Sequence, residues 1–79
     1  MTAPERVACF LLELAERRDA RRELDVPMSR YDIADYLGLT VETVCRVLSA
    51  MKRDGAIAIP NPHRIEIRDR EMLEALAES

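Results

Sequence analysis

Apolar side chains recur at steps of three and four along most of this chain and at steps of two in short stretches, which divides it into helical and extended segments. Val7, Phe10, Leu11 and Leu14 form the first helical stripe. Thr2 and Glu5 frame its start as a T-x-x-E capping box, and Pro4 is tolerated in a first turn, so a helix is predicted from near Ala3. Arg17, Arg18, Arg21 and Arg22 fall in its predicted last turns, where cations suit the negative helix end. Leu24, Val26 and Met28 then alternate with polar residues and read as a short strand over residues 24–28, confined by Pro27 to an edge or an end.

Residues 29–54 carry two more helical stripes around a glycine. Ile33, Ala34 and Leu37 mark the first, with Ser29 and Asp32 as a reciprocal cap. It stops at Gly38, where a left-handed backbone is inexpensive. Ala34 is small enough for two helices to cross closely, Leu39 fills the corner, and Thr40 offers a capping hydroxyl. The next helix, residues 41–54, turns Val44, Val47, Leu48 and Met51 inward and leaves Glu42, Cys45, Arg46 and Ser49 on the opposite face. After Gly55 the period becomes two: Ala56–Ile59 and Arg64–Ile67 flank Asn61-Pro62, a β-hairpin with a turn of about four residues stiffened by Pro60 and Pro62. The 24–28 strand is placed to join it in a three-stranded sheet. Asp69 caps a last helix, residues 70–78, with Met72, Leu73 and Leu76 inward. The expected fold is mainly α with a small antiparallel β-sheet: one winged helix-turn-helix domain over residues 1–79. The second helix of such a pair is the usual device for entering the major groove of DNA.

A length of 79 residues and a 48% hydrophobic content suit one small packed domain. No apolar run approaches the ~18 residues of a membrane span, and the N-terminus lacks a signal-peptide pattern. A cytoplasmic protein is expected, with Cys9 and Cys45 reduced. The net charge of −3 argues at first against nucleic acid, but a local basic patch decides that question. Acidic residues gather at Glu23, Asp25, Glu66, Asp69, Glu71, Glu74 and Glu78, and basic ones at 17–22 and at Arg46, Lys52 and Arg53. A chain polarised in this way can present a positive face, with modest non-specific DNA binding that weakens quickly with salt. There is no glycine-rich phosphate loop and no nucleophile with a His–acid pair, so no enzyme is expected. His63 has no Cys or His at ligand spacing, so no metal site is expected either.

Arg46 is the leading candidate for base reading, because its planar fork can donate to guanine O6 and N7. Glu42, one turn earlier, can accept from cytosine N4 and can hold the Arg46 guanidinium; the same spacing also describes an ordinary surface ion pair. Cys45, between them, can touch a thymine methyl group. It is a candidate redox-sensitive position if exposed beside Arg46, and otherwise an unreactive substitution. Backbone phosphates are expected at Ser29, Arg30, Thr40, Thr43 and Ser49, and in the wing at Asn61, His63 and Arg64, His63 reading equally as a plain turn residue. Tyr31 and Tyr36 read as core or rim aromatics, and Cys9 as a small packed residue.

Residues 28–53, with Pro27 before them, closely resemble the DNA-binding domain of the CRP/FNR regulator superfamily, and within them D-I-A-D-Y-L-G-L-T-V-E-T-V-C-R, residues 32–46, is most similar to its FNR and FixK branch. The opening segment E-R-V-A-C-F-L-L-E-L-A-E-R and the wing and tail H-R-I-E-I-R-D-R-E-M-L-E-A-L-A-E are similar to it too, so the resemblance covers almost the whole chain. Glu42 and Arg46 match the family's E-x-x-S-R motif, while Cys45 stands where that branch usually has serine, which puts the preference at one base pair in question. The resemblance implies a bacterial transcription regulator that binds double-stranded DNA at a TTGA-like palindromic half-site and works with RNA polymerase. It also implies a homodimer formed through sensor and dimerisation regions N-terminal to this domain, which the chain lacks, and no cofactor in the domain itself. The arginines at 17–22 then have a second reading, as contacts to phosphate or polymerase. The rival reading of the whole chain is a winged helix used for protein–protein contact without DNA.

Overall fold

A reciprocal cap starts the first helix: the Thr2 N–H donates to Glu5 Oε1 at 2.8 Å, and the Glu5 N–H donates to Thr2 Oγ1 at 3.3 Å. The hydrogen bonds to Thr2 hold the Glu5 carboxyl below its usual range. That support is therefore present at neutral pH and fades as the solution is acidified through the lowered value. The computed structural model describes residues 1–17 and 22–78. Their order is α1 (Ala3–Arg17), β1 (Glu23–Asp25), α2 (Arg30–Leu37), α3 (Val41–Arg53), β2 (Ile57–Asn61), β3 (Arg64–Ile67) and α4 (Arg70–Glu78). Helix α1 packs against α3 and α4, and the sheet closes the other side of one core built on Leu11, Leu24, Val44, Ile57, Ile65 and Leu73.

The three strands are antiparallel in the order β1-β3-β2, the sheet expected from the hairpin and the strand before α2. Leu24 faces Ile65 across β1–β3, and both are fully buried. The strand is shorter than residues 24–28: Val26 still donates to the carbonyl of the opposite His63 at 2.7 Å, but Pro27 has no N–H to give and the pairing ends there. Between β2 and β3 the partners run Ala58–Glu66 and then Asn61–Arg64, three steps against two. This bulge falls at Pro60, which cannot donate to a ladder. The turn holds only Pro62 and His63, not about four residues, because Asn61 Oδ1 accepts from the His63 N–H at 3.0 Å and closes it early.

One other expectation changes and one is settled between its alternatives. Arg22 is not in α1: it leads into β1, and its carbonyl accepts from the Ile67 N–H at 2.6 Å. Arg18 and Arg21 lie outside the described residues. Of the two readings of Tyr31 and Tyr36, core or rim, the rim one holds: they are 70% and 66% exposed. Tyr36 leans its ring on Phe10, with centroids 5.9 Å apart, because α2 turns only its Ile33–Ala34 side to the core.

The α2–α3 pair is fixed by local chemistry. Ser29 Oγ accepts from the Asp32 N–H at 3.1 Å, and Asp32 returns the contact to the Ser29 N–H. Gly38 ends α2 at φ 70°, and the Leu39 N–H reaches back to the Ala34 carbonyl at 2.9 Å. The Leu37 carbonyl, left open at this helix end, accepts from Arg6 Nη1 at 2.8 Å, so α1 caps α2 from outside. A Cβ on Gly38 would sit 3.3 Å from that same nitrogen and would still need the left-handed backbone. Gly38→Ala is therefore expected to destabilise the domain by about 1–2 kcal/mol, read as a lower urea midpoint with an unchanged m-value.

Candidate nucleic-acid interface

Helix α3 buries Val44, Val47, Leu48 and Met51. The periodicity leaves Glu42, Cys45, Arg46 and Ser49 together on its exposed side, and the structure places all of them there. Thr40 caps the helix: its Oγ1 accepts from the Thr43 N–H at 3.2 Å and its hydroxyl donates to Thr43 Oγ1 at 2.9 Å. Arg46 Nη2 donates to the same Thr43 oxygen at 3.4 Å. Thr43 Oγ1 thus accepts twice and keeps its own proton for an outside acceptor. The Thr40 proton already has a partner, which weakens that residue as a phosphate donor.

The expected Glu42–Arg46 contact does not form, since the guanidinium is drawn toward Thr43 and no ion pair of Glu42 occurs among the described residues. An exposed i,i+4 pair contributes only a few tenths of a kcal/mol, roughly 0.3–0.5, too little to hold the fork against that alternative. Both side chains consequently face solvent with free hydrogen-bonding groups. Cys45 is an exposed free thiol; Cys9 is half-buried, with Sγ 3.9 Å from the Ala77 carbonyl.

The remaining candidates frame this face unevenly. Ser29 and Arg30 stand at the start of α2, where the Ser29 oxygen is already an acceptor but its hydroxyl proton is free. Asn61 and His63 are exposed at the hairpin tip. Arg64 differs: its Nη1 meets Glu23 Oε2 and its Nη2 meets Asp25 Oδ1, each at 2.9 Å. Beside it Glu66 is approached by Arg22 at 3.7 Å and Arg68 at 3.8 Å. Among the described residues no His/Cys/Asp/Glu group is arranged to hold a metal ion, and no helix is long and apolar enough to cross a membrane.

A capped, exposed helix after a tight glycine turn, followed by a hairpin, is the arrangement of one known domain type, and residues 5–76 match the Crp-like helix-turn-helix domain. The chain belongs to that family. The Crp-like domain is similar to the nitrogen fixation regulation protein FixK of Rhizobium meliloti, 50% identical over 74 residues that take in 94% of this chain and 35% of FixK. It is 44% identical over 77 residues to the transcriptional activator protein FnrL of Cereibacter sphaeroides, covering 86% of this chain and 31% of FnrL. In three dimensions it superposes on FixK2 from Bradyrhizobium japonicum with a TM-score of 0.90 and 47% identity, over 95% of this chain and 38% of that one. The Crp-like domain thus spans about a third of the length of the curated relatives it matches. These are DNA-binding transcription regulators of the CRP/FNR type, not enzymes.

Sequence reasoning missed the partners of Arg46 and Arg64. Thr43 had a local signal, since residues three apart share a helix face. Glu23 and Asp25 had none, because the sequence places a strand at 24–28 beside the hairpin without fixing its register against β3.

Proposed function

We propose that this Crp-like domain binds double-stranded DNA by laying α3 in the major groove, with Arg46 on a guanine of a TTGA-like half-site. The observation that carries this reading is the Arg46 guanidinium: exposed, free of any carboxylate, and mounted on a helix whose other face is locked into the core. Glu42 accepts from an exocyclic amine, and Cys45 contacts a thymine methyl or its neighbour. Thr43, Ser29, Arg30, Ser49, Asn61 and His63 supply donors to flanking phosphates, which set position and not sequence. Oxidation of Cys45 adds bulk on this face and weakens binding. In the longer protein, two such domains act as a homodimer on a palindrome in the cytoplasm and engage RNA polymerase; the domain itself needs no cofactor for this.

The test is fluorescence anisotropy at low salt, with a palindromic duplex carrying two TTGA-like half-sites against a scrambled duplex. The palindrome is expected to bind more tightly, and Arg46→Ala to lose about 1–3 kcal/mol on it with little change on the scrambled duplex. Equal loss on both duplexes would make Arg46 a phosphate contact. No binding of either at low salt would favour a protein-interaction module.

A further inference from the structure

The wing carries a charge arrangement that the DNA-binding reading does not use. β2 leaves α3 directly through Gly55, so the hairpin stands beside the proposed recognition helix, where flanking phosphates pass. Arg64 follows the hairpin tip and is the cation best placed there, yet both ends of its fork are held by carboxylates of β1, Glu23 and Asp25, at 2.9 Å each. The register does not require this: Asp25 faces Arg64, but Glu23 lies opposite Glu66, a like-charge pair that costs stability. Glu66 already has Arg22 and Arg68. Three guanidiniums and three carboxylates therefore balance on this face, and a phosphate approaching Arg64 meets two negative charges on the same group.

Resting on the reading of this domain as a DNA binder, we infer that Glu23 and Asp25 are positioning residues that hold Arg64 back from the DNA backbone and so lower sequence-independent affinity. The pairs are exposed, so each is weak and a phosphate can compete for the fork. Three of the five guanidinium N–H groups also remain free. The carboxylates thus set how much of one phosphate contact the domain collects on any sequence. Discrimination between sequences stays with α3.

The experiment compares the unaltered chain, Glu23→Gln with Asp25→Asn, Arg64→Ala, and all three changes together, by anisotropy on palindromic and scrambled duplexes across a salt series. The Glu23→Gln, Asp25→Asn protein is expected to bind both duplexes about threefold to tenfold more tightly. Its plot of log affinity against log salt should steepen by about 0.9, one further phosphate. In the Arg64→Ala background the gain should shrink to within about twofold. A gain of full size without Arg64 would mean plain removal of negative charge, and no gain at all would mean that the pairs do not compete with phosphate; either overturns the inference while leaving palindrome preference, and the DNA reading, intact. Loss of binding to every duplex by the unaltered chain overturns both. If the paired change disturbs the fold, judged by melting temperature, Asp25→Asn alone carries the same comparison at a smaller gain.

Discussion

Two copies of this domain joined by a flexible linker are expected to bind a palindromic duplex about 10²–10⁴-fold more tightly than the free domain, with no new base contact. The reason is geometric. Successive half-sites lie ~34 Å apart along one groove face. The Cα envelope of the domain measures 27 × 27 × 23 Å. Copies seated on both half-sites leave about 7–11 Å between their backbones, depending on which axis of the domain lies along the groove, a gap that side chains bridge only thinly. Two free domains therefore bind almost independently, and each loses its own translational freedom. A Gly/Ser linker of about 40 residues has a root-mean-square span near the required distance. The tandem protein and the single domain would be titrated on the full palindrome and on a duplex with one half-site. Gain confined to the palindrome establishes paired reading. A similar gain on the single half-site would show that the second copy contacts something other than a half-site, and would remove the case for a dimeric regulator.

The expectations that held rest on chemistry confined to a few neighbouring residues. Thr2 with Glu5, Ser29 with Asp32, Thr40 with Thr43 and Asp69 with Met72 are all contacts over three positions, so the residue types carry the geometry with them. Gly38 and Gly55 mark their turns because positive φ selects for glycine. Two misses were local, the turn closed early by Asn61 and His63 and the Arg46 fork drawn to Thr43; the other unforeseen contacts lie where tertiary pairing decided. Arg22 left the helix pattern because its carbonyl serves Ile67. Arg6 and Leu37 meet across 31 residues, and Arg64 meets Glu23 and Asp25 across 41 and 39. Hydrophobic periodicity says which side of an element faces outward, but not which charge waits there. The exposed face of α3 was therefore legible, while the electrostatic setting of the wing was not. Tyr36 shows a related limit, since its spacing leaves core and rim both open, and only the contact with Phe10 on one side of an otherwise exposed ring decides for the rim.

Leu24→Ala is expected to destabilise the fold by about 2–5 kcal/mol, a large share of the roughly 5–15 kcal/mol that holds a natural domain together. Leu24 is 0% exposed, faces the equally buried Ile65, and is buried in the core although β1 is an outer strand of the sheet. The strand cannot close over the lost volume, because its flanks are tied by Val26 to His63 at 2.7 Å and by Ile67 to Arg22 at 2.6 Å. The cavity term therefore adds to the transfer term. For a chain of this size the melting temperature should fall by about 10 °C or more, whereas Tyr31→Ala, at a 70% exposed position, should stay within about 0.5 kcal/mol. Arg46→Ala should likewise leave the melting temperature in place while removing DNA discrimination. The contrast matters because binding and folding are linked only through the folded fraction. At a temperature where Leu24→Ala is still mostly folded, its affinity for the palindrome should match that of the unaltered chain once corrected for that fraction. A loss of DNA affinity beyond the correction would place β1 in the interface itself, and an unchanged melting temperature would mean that Leu24 does not anchor the sheet to the core.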